Sequence, residues 1–510
     1  MDSPILIVGA GPTGLAMALF LQRLGAEFRI IDRNANPARE SRALVVQART
    51  LEFYAQLGFA DTAIDHGLQL SALNLWSGGS RRTRIVFGEM GRGLSPYPYA
   101  LILAQDLHER LLVKCLEQRG VRIDRNTELT GFEQRDGHIR AELRHMDGRA
   151  ETCECAWLIG CDGAHSVVRE ALGLGFPGGT YEHLFYVADV EASGPVVNGE
   201  LHVALDESDL LAVFPLPGNR NIRLVGTIRP SAQQQRSQIG WDDVSQGILE
   251  RLEIGVARVN WFSTYHVHHR VAKQFRVGHS FLLGDAAHIH SPVGGQGMNT
   301  GIGDAVNLAW KLAMVLNGQA AEELLDTYAP ERMAFAQRLV ATTDRAFTFA
   351  SRDSELARFM RVDVVPHVLP AIFSYDAARR YLFRTISQVL VHYPNSSLSA
   401  GRAGEVHGGD RLPWAGSNFA ALTSLAWQVH VYGAASSRLI QFCREQGLPL
   451  HAFPWSAEAD SAGLARDALY LVRPDGYVAL ADPTGDAARL AAYLKERRLL
   501  GISRISAIQQ

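Results

Sequence analysis

Apolar runs of strand length and amphipathic stretches alternate along the first third of the chain. Pro4 to Val8 is continuously apolar, Leu15 to Leu24 repeats its apolar positions at helical spacing, and Phe28 to Ile31 is apolar again and stops at Asp32. A helix starts at Arg49-Thr50-Leu51-Glu52 and runs to about Leu57. Gln105 opens another over Asp106 to Glu117, with Leu107, Leu111, Leu112 and Leu116 on its apolar face. Val121 to Leu143 alternates as two or three strands around the turn signals Asn126 and Asp136-Gly137. The strand Trp157 to Ile159 then runs into Asp162-Gly163, and a helix begins near Ser166, which is placed to cap it.

The pattern changes from Tyr181 to about Val277. Phe185 to Val190, Gly199 to Leu205, Leu210 to Leu216, Ile222 to Ile228 and Trp261 to Val271 read as strands, with one helix near Val244 to Leu252. An antiparallel sheet inserted in this way commonly builds the second wall of a ligand cavity. The alternation resumes with a buried strand, Ser280 to Leu283, a glycine-rich passage, and a helix from about Met298 whose face is Ala305, Leu308, Ala309 and Leu312. Helices follow over Glu322 to Ser387. A boundary falls between Val391 and Pro413, where Pro394, Asn395, Ser396, Ser397 and several glycines cluster. Beyond it strands are expected at Val429 to Tyr432, Leu448 to Phe453, Ala468 to Val472 and Tyr477 to Leu480, with helices at Ser437 to Gln446 and Asp486 to Arg497. Asp475-Gly476 is the hairpin turn.

Composition narrows this picture. At 510 residues the chain exceeds one ordinary core, so two or three domains are expected. With 47% hydrophobic and 20% charged residues and a net charge of −3, it shows no footprint for nucleic acid or a membrane surface. No apolar run approaches the ~18 to 20 residues of a membrane span. The first strand at Pro4 leaves no room for a signal peptide. Of the five cysteines, Cys153, Cys155 and Cys161 lie close together, but with no second cluster or nearby histidine no metal site is expected. Reduced, buried thiols in a cytosolic protein fit better.

Two stretches carry chemistry. Gly9 to Gly14 (GAGPTG) follows the first strand at once and opens the first helix, and Asp32 ends the next strand ~20 residues on. The glycines let backbone approach a pyrophosphate at a helix N-terminus, and Asp32 can accept from both hydroxyls of an adenosine ribose. The spacing leaves NAD and FAD both open. In the second stretch, Gly284 to Lys311, Gly294, Gly295, Gly297, Gly301 and Gly303 accompany Pro292, far more backbone freedom than a connection needs. Something bulky and flat is expected there, facing a helix N-terminus that favours negative charge.

Taken together, Gly9 to Gly14 with Asp32, the Asp162-Gly163 segment and the Gly284-Asp285 segment resemble the three fingerprints of the class A flavoprotein monooxygenases. These are the aromatic hydroxylases typified by para-hydroxybenzoate hydroxylase and phenol hydroxylase. Gly408 to Pro413 (GGDRLP) resembles the linker of the larger members. The resemblance implies an α/β fold with a Rossmann-type FAD-binding domain in two parts, residues 1–180 and 278–393, the second including a helical segment. It also implies an antiparallel substrate sheet over 181–277 and a thioredoxin-like domain over 394–510. Thioredoxin-type redox chemistry is not expected, because Cys443 is alone and no CxxC exists.

Carried over by position, the resemblance implies that Gly9, Gly11, Thr13, Gly14, Asp32 and Arg33 hold the adenosine and pyrophosphate of FAD. Arg42 and Gln105 would touch its phosphate and ribityl region, and Asp162 would serve FAD and the docked nicotinamide. Asp285 would bind the ribityl chain, and Pro292, Gly295, Gly297, Met298 and Asn299 would line the isoalloxazine. Read without the resemblance, a solvated surface charge is the commoner fate for an arginine such as Arg42, and Asp162 is equally turn chemistry. Gly303 and His279 depart from what many relatives carry. The implied reaction is NAD(P)H-dependent hydroxylation of a phenolic or polycyclic aromatic through a C4a-hydroperoxyflavin, with the helix N-terminus at Met298-Asn299 facing the charge near N1. The alternatives are Baeyer–Villiger or epoxidising oxygenation on the same scaffold, or flavin binding without turnover. No acid or base is assigned: His202, His266, His268, His269 and Tyr97 are within reach of a cavity, but strand register decides which face each occupies.

Overall fold

The computed structural model describes residues 3–37, 43–135, 137–205, 210–218, 220–228, 239–291, 293–351, 368 and 371–499. Its organising element is a mostly parallel sheet. Ser3–Val8 lies at the centre, with Arg29–Ile31 on one side and Ala150–Gly160 on the other, followed by Ser280–Leu282. Ile7 stands opposite both Ile30 and Ile159, and Ile159 opposite Phe281. All four are buried, which is why these strands read as continuous apolar runs rather than alternating ones. The hairpin Thr127–Arg135 and His138–His145 extends the sheet at the longer strand.

The parallel arrangement has a direct consequence. Ser3–Val8 ends at Gly9, Ala150–Gly160 ends just before Asp162, and Ser280–Leu282 ends just before Gly284. Three turns separated by more than a hundred residues each therefore emerge side by side at the carboxyl edge of one sheet, where open α/β sheets place their ligands. Helix Pro12–Arg23 packs against the long helix Gly297–Leu316 over this edge.

The second sheet has eight strands, in the order His288–Ile289, Gly255–Val271, Gly178–Ser193, Asn221–Ile228, Leu210–Pro215, Leu201–Leu205, Ala72–Ser77 and Ser80–Val86. It is wider than the expected 181–277. Ala72–Ser77 joins Leu201–Leu205 in parallel, and Gly78 and Gly79, at φ +57° and +71°, turn the chain into Ser80–Val86. That last strand carries Arg81, Arg82 and Arg84, which suit an exposed edge and mask its strand character in the sequence.

The C-terminal unit runs strand Gln428–Tyr432, helix Ser437–Glu445, strand Leu450–Phe453, helix Ala457–Ser461, strands Leu469–Val472 and Val478–Asp482, and helix Ala487–Glu496. The first two strands are parallel and the hairpin is antiparallel to them, a thioredoxin-like arrangement. Gly476 turns the hairpin at φ +75°. One face of its sheet packs a core of its own around Tyr432, Tyr470, Val472 and Val478, and the other face shares its core with the FAD-binding part. Trp310 and Met314, from the far end of helix Gly297–Leu316, are buried in the same cluster as Trp427, Val429 and Leu471.

Candidate active site

At the first strand end, close packing demands glycine. A Cβ on Gly9, which sits at φ +100°, would fall 2.4 Å from the carbonyl oxygen of Cys161, and one on Gly14 would fall 2.0 Å from the carbonyl oxygen of Gly9. Gly11 differs: nothing lies within 4 Å of its would-be Cβ, so the backbone before helix Pro12–Arg23 is open to a ligand. That helix has no side-chain cap, leaving its first N–H groups for another acceptor. The Asp32 carboxylate accepts from the N–H of Ala10 at 2.7 Å and of Asn34 at 2.7 Å, which fixes it at the wall of a cleft of about 210 Å³. Gly9, Gly11, exposed Arg33, Asp162 and Gly163 also line this cleft. Thr13 lies behind it. Its hydroxyl is wedged where a Cβ on Gly284 or Gly301 would come within 2.6 or 2.3 Å.

The second turn is tied to the third. One oxygen of Asp162 accepts from the N–H of Val168 at 3.1 Å, while the other is buried without a partner, and burial raises its pKa. Ser166 caps the following helix by accepting from the N–H of Arg169 at 3.0 Å. The buried Arg169 guanidinium lies over the Phe176 ring and donates to the carbonyls of Ala164 at 2.8 Å and Ala286 at 3.0 Å, bridging the two turns.

At the third strand end, Gly284 sits at φ +58° and the Asp285 side chain is exposed between buried Gly284 and Ala286. Gly294 and Gly295 both have positive φ, and a Cβ on Gly295 would lie 2.8 Å from the Cβ of Val45. Gly297 starts the long helix, again without a side-chain cap. Asn299 is used internally. Its amide donates to the carbonyls of Val45 and Gly295, both at 2.8 Å, and accepts from the Gln47 N–H at 2.9 Å and the Thr50 hydroxyl at 2.7 Å. Those four bonds exhaust the side chain, so only its backbone remains for a ligand. The Met298 sulfur lies 3.4 Å from Nδ1 of His108, whose pKa burial lowers to about 4. Gln105 spans Ala43 N–H at 3.1 Å and Glu109 at 2.8 Å. Arg42 and Pro292 lie outside the described residues.

Val45, which abuts Gly295, belongs to an apolar cluster. Leu73, Leu201 and Phe214 of the eight-stranded sheet pack in it with Leu216, Ala104 and half-buried Tyr97. A second cleft of about 530 Å³ opens beside it, lined by Ala104, Asp106, Leu216, Arg223 and Trp261 among others. Of the histidines singled out in the sequence, His266 is exposed and the other three are engaged elsewhere. Nδ1 of buried His202 accepts from the Trp76 indole at 3.0 Å and burial lowers its pKa to about 4, His268 bonds Thr180 at 2.7 Å, and the His269 ring packs on Tyr181. Sequence reasoning missed His288, Asp304 and Arg332, which form a buried cluster behind the Gly284 turn.

Glycines that admit backbone at both ends, an uncapped helix N-terminus at each, and carboxylates at Asp32 and Asp285 suit a long dinucleotide whose far end is flat. FAD fits these residues. A family model described as an FAD binding domain matches residues 2–343. The 6-methylpretetramide 4-monooxygenase of Streptomyces rimosus is 33% identical over 541 aligned positions, covering 98% of this chain and 94% of that protein. Pentachlorophenol 4-monooxygenase of Sphingobium chlorophenolicum is 34% identical over 67% of this chain and 64% of its own. Among solved structures, anhydrotetracycline hydroxylase from Streptomyces rimosus superposes with a TM-score of 0.77 at 28% identity, covering 98% of this chain and 99% of that one.

Proposed function

We propose, from the premise that this chain belongs to the family of FAD-dependent aromatic monooxygenases, that it hydroxylates a phenolic ring of a fused polycyclic substrate, with NAD(P)H and O2 as co-substrates. The observation that carries the substrate class is the extent of the likeness. The alignment with the 6-methylpretetramide enzyme covers 98% of the chain, C-terminal unit included, whereas that with the pentachlorophenol enzyme covers 67%.

Bound FAD supplies the activation of dioxygen for transfer of one oxygen atom to the ring. The chain supplies placement. Backbone from Gly9 to Gly14 and the N-terminus of helix Pro12–Arg23 would take the pyrophosphate, with Arg33 and Arg42 beside it, and Asp32 the ribose. Asp285 would accept from the ribityl hydroxyls, near Gln105 and the Asp162 turn. Gly295 and Gly297 allow close approach to the ring system, and the N–H groups of Met298 and Asn299 offer donors where negative charge develops. Leu73, Leu201, Phe214, Leu216 and Val45 exclude water from the substrate side. The 530 Å³ cleft beside them, lined by Ala104, Leu216 and Trp261 and by charged Asp106 and Arg223, would be the substrate's approach. His108 and His202 are neutral in this setting, since burial holds both near pKa 4, so neither stores a proton at neutral pH.

Among the described residues no helix is long and apolar enough to cross a membrane, and all five cysteines are free. These fit a cytoplasmic enzyme acting on small molecules, and our reading of its assembly is a monomer or homodimer. The test is NAD(P)H oxidation by the purified flavoprotein with tetracyclic phenols, monocyclic phenols and a ketone of matched shape, with products analysed by mass spectrometry under 18O2. The reading predicts that the tetracyclic phenols stimulate most and gain one labelled oxygen on an aromatic carbon. Ring expansion of the ketone, or equal stimulation by monocyclic phenols, would overturn it.

A further inference from the structure

Asp304 and Arg332 form an ion pair, Nε to Oδ1 at 2.6 Å, with side chains 0% and 3% exposed. Taking two charges out of water costs several kcal/mol per ion, so such a pair adds little net stability over apolar packing. Its value lies in what else the two groups hold. The second Asp304 oxygen accepts from the backbone N–H of Gly284 at 3.0 Å and bonds Nε2 of His288 at 2.7 Å. The other arms of Arg332 donate to the carbonyl of Thr300 at 3.0 Å and the hydroxyl of Tyr393 at 2.9 Å.

Gly284 opens the glycine-rich passage and Thr300 closes it. One buried hub thus grips both ends of a segment whose own backbone is unusually free. Burial alone would raise the pKa of Asp304, but Arg332 and His288 outweigh it and keep the carboxyl ionised, as acceptor for the Gly284 N–H. Gly303 belongs to the same device. A Cβ there would lie 3.0 Å from Nη2 of Arg332, so glycine makes room for the guanidinium to reach Thr300, at some cost in helix propensity.

We propose that Asp304, Arg332 and His288 are positioning residues for the cofactor. They set the spacing between the Asp285 turn and the helix N-terminus at Gly297, the two features that must engage one rigid ligand together. The proposal rests on FAD lying along residues 284–299.

The test compares Asp304→Asn and Arg332→Lys with Lys311→Met, which breaks a different buried pair, to Glu331, on the same helix without touching the passage. For each apoprotein, the FAD dissociation constant is measured by flavin fluorescence alongside the melting temperature, and the visible circular dichroism of bound flavin is recorded. Asp304→Asn and Arg332→Lys are expected to weaken FAD binding at least about tenfold and alter the dichroism, whereas Lys311→Met lowers the melting temperature with binding within about twofold. If binding by Arg332→Lys and Asp304→Asn stays within about twofold of the parent, or if affinity simply tracks melting temperature across all three variants, the positioning role is wrong. Failure of the parent apoprotein itself to take up FAD would instead strike the placement of FAD, and this proposal with it.

Discussion

Arg411 grips Glu52 with two arms, Nε to Oε2 at 2.9 Å and Nη2 to Oε1 at 2.5 Å, across 359 positions of sequence. Arg49 donates to the same carboxylate at 2.8 Å and to the carbonyl of Asp475 at 2.7 Å, and the Ser95 hydroxyl to Glu52 at 2.6 Å. Burial would raise the pKa of Glu52, yet Arg411 and Arg49 hold it below the usual carboxylate value. Nearby, Arg473 pairs with Glu331 at 2.7 Å and with Asp475, and Lys311 pairs with Glu331 at 2.9 Å, all fully buried. The segment Gly408 to Pro413 is thus a weld between the C-terminal unit and the FAD-binding domain.

Removing Arg411 takes two charge-assisted hydrogen bonds from the buried Glu52 carboxylate and leaves it with Arg49 and Ser95 alone. Arg411→Ala is expected to destabilise the protein by about 1.5–3 kcal/mol, read as a shift in the urea midpoint. A loss below about 1 kcal/mol would show that water reaches Glu52 readily.

Asp285 is exposed and its turn is held from behind, so Asp285→Ala should leave the apoprotein's stability within about 0.5 kcal/mol of the parent. FAD should nonetheless be lost, measured as the ratio of flavin to protein absorbance after purification. A full complement of flavin would contradict the placement of this carboxylate on the ribityl chain.

Asn299→Ala should behave differently. It deletes three buried hydrogen bonds and one part-buried one and leaves carbonyls and an N–H unpaired, at about 2–4 kcal/mol. Stability and FAD retention are both expected to fall, and thermal melts of apoprotein and holoprotein would register the two effects separately. Flavin loss without destabilisation would mean that the side chain serves the ligand directly.

Acid should act through His108. Burial lowers its folded pKa to about 4, against an ordinary value of 6.5, so the unfolded chain binds the extra proton between these limits. Its contribution is complete above pH 6.5 and is lost as pH falls toward 4, by about 3 kcal/mol. Urea unfolding at pH 7.5 and 4.5 should show a smaller acid loss in His108→Gln than in the parent. Equal losses would place the acid sensitivity elsewhere.

Much of the fold was legible in the chain because its signals are local. Continuous apolar runs at Pro4 to Val8 and Ser280 to Leu283 report strands buried on both faces, the glycines at 9, 11 and 14 report a tight turn into a helix, and Ser166 and Asp475-Gly476 report a cap and a hairpin. The turns by themselves left NAD and FAD both open, and FAD came from the family resemblance that the three turns carry together. What the tertiary structure alone decided is partnership. Parallel pairing set the three turns side by side, sent Thr13 behind the cleft, turned Asn299 inward, and drew Ala72–Val86 into the second sheet. Asp304 and Arg332 left no trace in the sequence, because periodicity reports which face of an element is buried. It carries no information about which distant charge will be waiting there.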